Sequence, residues 1–174
     1  MHPQSHKTYR AARRAFIAAC EKARVETVAR LHPANAPDGK PLFMDCAAKG
    51  PRHAPKAVLA LAHDAKGGEF LIALLARPAL PPDSRLVLVH AFDPARFAGV
   101  AGDAQWPLAM LGAVATEDLS RVKDLAVLNL GEAGDEKAIP ALQSHLPGAR
   151  ISLLPSAASA GAAESAVIAY FQTR

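Results

Sequence analysis

Hydrophobic and polar positions divide the chain into an amphipathic opening followed by short apolar runs. From about His6 to Ala23 the apolar positions recur at helical spacing, with Tyr9, Ala12, Phe16, Ala19 and Cys20 on one face. Arg10, Arg13, Arg14 and Lys22 fall mostly off that face, and Ser5 reads as the N-cap. Two extended runs follow, VETVARLHP and PLFMDCAAKG, and the turn NAPDGK between them carries Asp38-Gly39, a hairpin signal. Met44 and Cys46 alternate with Phe43 and Asp45, which predicts a hairpin with two differently covered faces.

The runs KAVLALA, RLVLVHAF, DLAVLNL and RISLLP are short and nearly continuous in apolar residues. That pattern suits strands buried on both sides. Between and after them the spacing predicts helices in GGEFLIALLA, PLAMLGAV with TEDLSRVK, DEKAIPALQSHL and SAGAAESAVIAYFQ. Pro140 lies inside the third, where it marks a first turn or a kink. The alternation predicts an α/β fold: a three-layer helix–sheet–helix sandwich whose mixed, mostly parallel sheet is opened by an antiparallel hairpin. RPALPPDSR reads as a stiff connector, so residues 1–174 are expected to form one domain.

Composition changes this picture little. The 174 residues are 51% hydrophobic and 21% charged, the balance of a globular chain. The net charge of +4 is concentrated early, in HKTYRAARRAF and CEKARVETVAR. With no nucleic-acid recognition motif, that charge reads as a solvated helix face, and no nucleic-acid partner is expected. Cys20 and Cys46 form no Cys-x-x-Cys pair and are expected as buried thiols, with one disulfide as the alternative and Cys20 on the apolar helix face. The first residues lack the apolar core of a signal peptide, and no run is long enough to cross a bilayer. A cytoplasmic protein without a membrane partner is the resulting expectation.

If the apolar runs are parallel strands, their carboxyl ends share one edge, the usual ligand side of an open α/β sheet. The candidate site is the set of polar residues delivered there: His63, Asp64, Lys66 and Glu69 after the first run, His90 and Asp93 after the second, Asn129 and Glu132 after the third. Such groups could bind a metal, or could cap helices and satisfy loop amides. HDAKGGEF places glycines before a helix but lacks both phosphate-loop patterns, and no Gly-x-Ser-x-Gly elbow is present.

Three stretches, YRAARRAFIAACEKA, APDGKPLFMDCAAKGPRHAPKAVLALAH and RLVLVHAFDPARFA, together resemble an uncharacterised branch of the zinc-carboxypeptidase-like fold. The resemblance is strongest over residues 9–98. It implies a strand ending in His-x-x-Glu, both residues binding zinc; His63 matches the His, and Lys66 falls where the Glu belongs. It also implies an Arg- and Asn-rich segment for a substrate carboxylate, where this chain has GVAGDAQWPLAMLGA, with neither residue. The third zinc ligand, a His, has its best match in AVLNLGEAG, where Asn129, Leu130 and Gly131 stand. No counterpart of the catalytic Glu is evident, since Glu164 falls in the final predicted helix.

Catalytic zinc normally takes three protein ligands and an open position. A protonated Lys at ~4 Å from a dication, at an effective dielectric of ~20, is repelled by about 8 kcal/mol. Lys66 escapes that only by losing its proton or turning to solvent. The expectation is therefore a degenerate, metal-free relative serving as a binding or structural module, with no catalytic residue, no cofactor, and His63 as a remnant ligand. The alternative is a zinc-dependent peptidase- or amidase-type hydrolase with a site rebuilt around His63 and His90. A third expectation is a homo-oligomer or protein partner, docking on apolar surface near WPLAMLGAV.

Overall fold

The computed structural model describes residues 5–77, 80–131 and 137–173, with the backbone only of Ser5 and His6. Helix α1 (Ser5–Ala23) leads into the hairpin β1 (Thr27–Asn35) and β2 (Pro41–Lys49). Then follow β3 (Lys56–Ala62), α2 (Ala65–Leu75), β4 (Ser84–His90), the short α3 (Pro94–Ala98) and α4 (Trp106–Asp118). The chain closes with β5 (Asp124–Leu130), α5 (Ala138–His145), β6 (Arg150–Leu153) and α6 (Ala160–Gln172).

The six strands form one sheet in the order β1-β2-β4-β3-β5-β6. β2 runs antiparallel to both neighbours, while the β4-β3-β5-β6 pairings are parallel. The sheet is thus mixed, mostly parallel and opened by an antiparallel hairpin. Its strands β3, β4 and β5 are buried almost end to end, as their continuous apolar runs require.

Pleat alternation splits the core in two. Val58, Ala60, Ala62, Leu86, Leu88 and Leu128 face α1, α2 and α6. Leu59, Leu61, Val87, Val89 and Val127 face α4 and α5. Helices on both faces of the sheet make the three-layer sandwich. Pro140 is the third residue of α5, so it belongs to the first turn.

The basic helix α1 is held against the hairpin by its own polar groups. Tyr9, fully buried, donates its hydroxyl to the Phe43 carbonyl at 2.9 Å and accepts from the Phe43 amide at 2.8 Å. Arg13 clasps Asp45 with two bonds of 2.7 and 2.9 Å and lies 4.3 Å over the Phe43 ring. Arg10 reaches Asp38 in the hairpin turn at 2.9 Å. Phe43 and Asp45 therefore face α1, while Met44 and Cys46 lie in the core beneath α4. The arginines that read as a solvated face are in part the fastening of α1 to the sheet.

WPLAMLGAV, the stretch expected to bare apolar surface, forms most of α4. Leu111, Val114 and Ala115 are buried in the sheet, and Trp106 packs edge-on against His32 at 4.7 Å. Among the described residues no helix is long and apolar enough to cross a membrane.

Candidate functional site at the carboxyl edge of the sheet

β3 hands over to α2 on one face of the sheet, and the chain returns to β4. β5 hands over toward α5 on the other face, and the chain moves outward to β6. A crevice at such a reversal lies outside the ends of the two diverging strands, here β3 and β5.

His63 and Asn129 meet there. His63 extends the β3–β5 ladder by one bond, its amide donating to the Leu130 carbonyl at 3.0 Å. Asn129 pairs in register with Leu61, so its side chain points to the α4 face. His63 Nε2 lies 2.9 Å from Asn129 Oδ1, and Phe92 meets the imidazole edge-on at 5.6 Å. Both residues are buried, at 8% and 4% exposure. A carbonyl oxygen only accepts, so in this arrangement Nε2 carries the proton. An amide neither takes that proton nor supplies the charge with which a carboxylate would raise the basicity of the ring.

The other predicted residues have separate tasks. Asp64 is the N-cap of α2, accepting the Gly67 amide at 2.8 Å. A Cβ on Gly131, at φ +102°, would stand 2.5–2.6 Å from the Asp64 carboxylate, so glycine is needed where the loop after β5 passes this cap. Asp93 caps α3 by accepting the Arg96 amide at 3.0 Å. Lys66 is exposed on the first turn of α2, its ammonium 5.9 Å from the centre of the Phe70 ring. Glu69 is also exposed and lines a cleft of about 300 Å³ between α1 and α2. Glu132 lies outside the described residues.

His90 ends β4 in the opposite pleat phase. It shares the face of Leu88, stacks on Phe16 at 5.1 Å and an 18° interplanar angle, and meets Phe97 at 5.7 Å. It is completely buried, and neither ring nitrogen has a hydrogen-bond partner among the described residues. Burial, with the nearby Arg13 guanidinium adding to it, pushes its pKa down to about 3. The sheet therefore brings His63 and Asn129 together and holds His90 on the far side.

The two glycines of HDAKGGEF serve close packing. A Cβ on Gly67 would collide with the Leu130 carbonyl, and one on Gly68 would come within 3.3 Å of the His90 ring. Both thiols are buried, Cys20 pushed up to about 11 and Cys46 to about 12, with burial the main cause. Neither is a thiolate at neutral pH.

Sequence reasoning missed two buried polar arrangements. Asp45, 1% exposed, needs Arg13 from 32 residues away. An acid inside an apolar strand was the available signal. Arg85, 3% exposed at the start of β4, is held by the Gly50 carbonyl and Asp118, each at 2.7 Å. Nothing local in RLVLVHAF marks that arginine as buried.

The sequence model of a family described as Protein of unknown function (DUF2817) matches residues 6–99, more than half of the chain. The chain belongs to this family. The DUF2817 segment runs from α1 through α3 and nearly coincides with the 9–98 stretch that carries the resemblance. It includes His63 and His90 and excludes Asn129. No curated protein matches the chain.

Solved structures are similar in chain path. A glutaminyl cyclase from Fimbriiglobus ruber is 9% identical with a TM-score of 0.46, over 73% of this chain and 60% of its own. This chain thus spans less than two thirds of that enzyme. A Bacteroides vulgatus protein assigned as a zinc-dependent exopeptidase is 9% identical with a TM-score of 0.47, over 98% of this chain and 96% of its own. An aminopeptidase from Legionella pneumophila is 11% identical with a TM-score of 0.41, over 91% of this chain and 49% of its own. Each activity belongs to the protein so named.

Among the described residues, no group of three His, Cys, Asp or Glu side chains comes together that could hold a metal ion. The donors facing each other at the crevice are one imidazole and one amide, which do not fit the ligand set of a catalytic zinc.

Proposed function

We propose that this protein is a non-catalytic, metal-free relative of zinc carboxypeptidases that acts as a binding or structural module. The 2.9 Å contact between His63 Nε2 and Asn129 Oδ1 carries this reading. It joins the one residue that matches the zinc motif to the residue standing near the place of another ligand, and it gives the imidazole a buried amide partner. Three further features support it. Lys66 takes the place of a zinc-binding carboxylate and points to solvent. Asp64 and Asp93 each give a carboxylate oxygen to a helix amide. His90 faces α1 across the sheet from the His63 pair.

The test is turnover. The full chain, supplied with zinc, is assayed on peptide, amide and ester substrates beside His63→Ala. No turnover above that control is expected. Turnover that depends on both His63 and His90 would replace this reading with that of a hydrolase rebuilt around those two residues.

A further inference from the structure

At the opposite edge of the sheet, where α1 ends and β1 begins, lies a cleft of about 460 Å³ bounded by the end of β2, the start of β4 and the end of α4. Its floor is apolar, formed by Val28 and Ala48 on the face of the sheet that α4 covers elsewhere. Its walls are basic. Arg24 and Arg52 are exposed, and their side chains make no hydrogen bond or ion pair among the described residues. Arg85 stands buried in the same lining, its Nε without a partner among the described residues. Of the two acids in the lining, Asp118 is taken by Arg85, which leaves Glu26 against Arg24 and Arg52 and the cleft with an excess of positive charge.

Two backbone features hold this arrangement. Helix α1 closes with Val25 N–H on the Cys20 carbonyl at 2.9 Å and Arg24 N–H on the Glu21 carbonyl at 3.0 Å. This is the left-handed helix ending that normally takes glycine, and Arg24 occupies it at φ +55°. Glycine would serve the turn better, so Arg24 sits there at a conformational cost. Gly50, at φ +89°, lies so close to the Ser84 carbonyl that no side chain fits, and its own carbonyl receives Arg85.

We propose that this cleft binds a small oxyanion ligand, a carboxylate or phosphate head on a short apolar body. The head lies between Arg24 and Arg52, which offer planar, charge-assisted donors, and the body rests on Val28 and Ala48.

The experiment titrates the full chain with hexanoate and with hexyl phosphate, following backbone amide shifts by NMR. Arg24→Gly, Arg52→Gln and a His63→Ala control are measured alongside, each with its melting temperature. The expected result is saturable binding of at least one probe, with shifts at Arg24, Gly50 and Arg52. Arg24→Gly and Arg52→Gln each weaken it by about tenfold or more, while His63→Ala leaves it unchanged. Arg24→Gly also raises the melting temperature, which separates lost binding from lost folding. Which probe binds more tightly distinguishes a carboxylate from a phosphate ligand. Absence of saturable binding, binding indifferent to both arginines, or a lowered melting temperature in Arg24→Gly would overturn the proposal.

Discussion

His63 and His90 stand at the carboxyl ends of adjacent parallel strands, yet they live in opposite chemical settings. His63 faces α4 and shares a hydrogen bond with Asn129. His90, one pleat phase out of step, is sandwiched among Phe16, Phe97 and Gly68 with neither nitrogen partnered among the described residues. One is a polar residue given a polar partner; the other is used as an apolar plate. The difference shows that the edge of a strand is not enough to define a site. The phase of the pleat decides which face each side chain joins.

The largest effect should come from removing what holds α1 over His90. Arg13→Ala leaves Asp45 as a buried, unpaired carboxylate and is expected to cost about 3–5 kcal/mol in urea unfolding. A loss well under 1 kcal/mol would mean that Asp45 reaches water and that α1 is held by packing alone.

Asn129→Leu probes the other face. It strands the buried His63 N–H, and about 1–3 kcal/mol should be lost at neutral pH. If stability is unchanged, the pair contributes no net bond and the contrast between the two histidines weakens.

His90→Leu should be nearly neutral at pH 7, because no hydrogen bond is broken. Its effect lies in the pH dependence. The folded pKa of about 3 is below the ordinary value of 6.5, so between those values the unfolded chain binds a proton that the folded chain refuses. His90 is therefore harmless above 6.5 and costs stability as pH falls toward 3, with a slope of up to about 1.4 kcal/mol per pH unit. Arg13 on α1 and Asp45 on β2, the register partner of His90, are charged groups on this side of the sheet. The difference between wild type and His90→Leu across that window isolates the histidine from the carboxylates that titrate in the same range. Parallel curves would show that His90 is hydrated or partnered.

The smallest effect is expected at Gly68→Ala, where the added methyl meets the His90 ring at 3.3 Å and Ala12 at 4.0 Å. A loss of about 1 kcal/mol in the same unfolding assay fits a ring that can give slightly. A gain would mean that the α1–α2 contact over His90 is underpacked.

The architecture was legible because strand burial leaves a plain mark: KAVLALA and DLAVLNL have almost no polar interruption, and both are central. Asp38-Gly39 likewise announced the hairpin, and Gly39 does adopt φ +75°. The site was less legible. β3 pairs with β5, which comes two strands later in the chain, and only that register places Asn129 beside His63. The five-residue α3 is too short for a periodic pattern; its signals are Asp93-Pro94 at the start and Gly99 at φ +71° after the end. The glycines beside His63 lack a phosphate-loop pattern, and their contacts with the Leu130 carbonyl and the His90 ring, which explain them, are nonlocal.

The central claim is that the crevice at His63 is closed by an amide and holds no metal. Calorimetric titration of the chelator-treated full chain with zinc, beside His63→Ala, tests it most directly. The account predicts no binding, or weak binding that is the same in both proteins. Tight one-to-one binding that disappears in His63→Ala would contradict it and would make His63 a working zinc ligand.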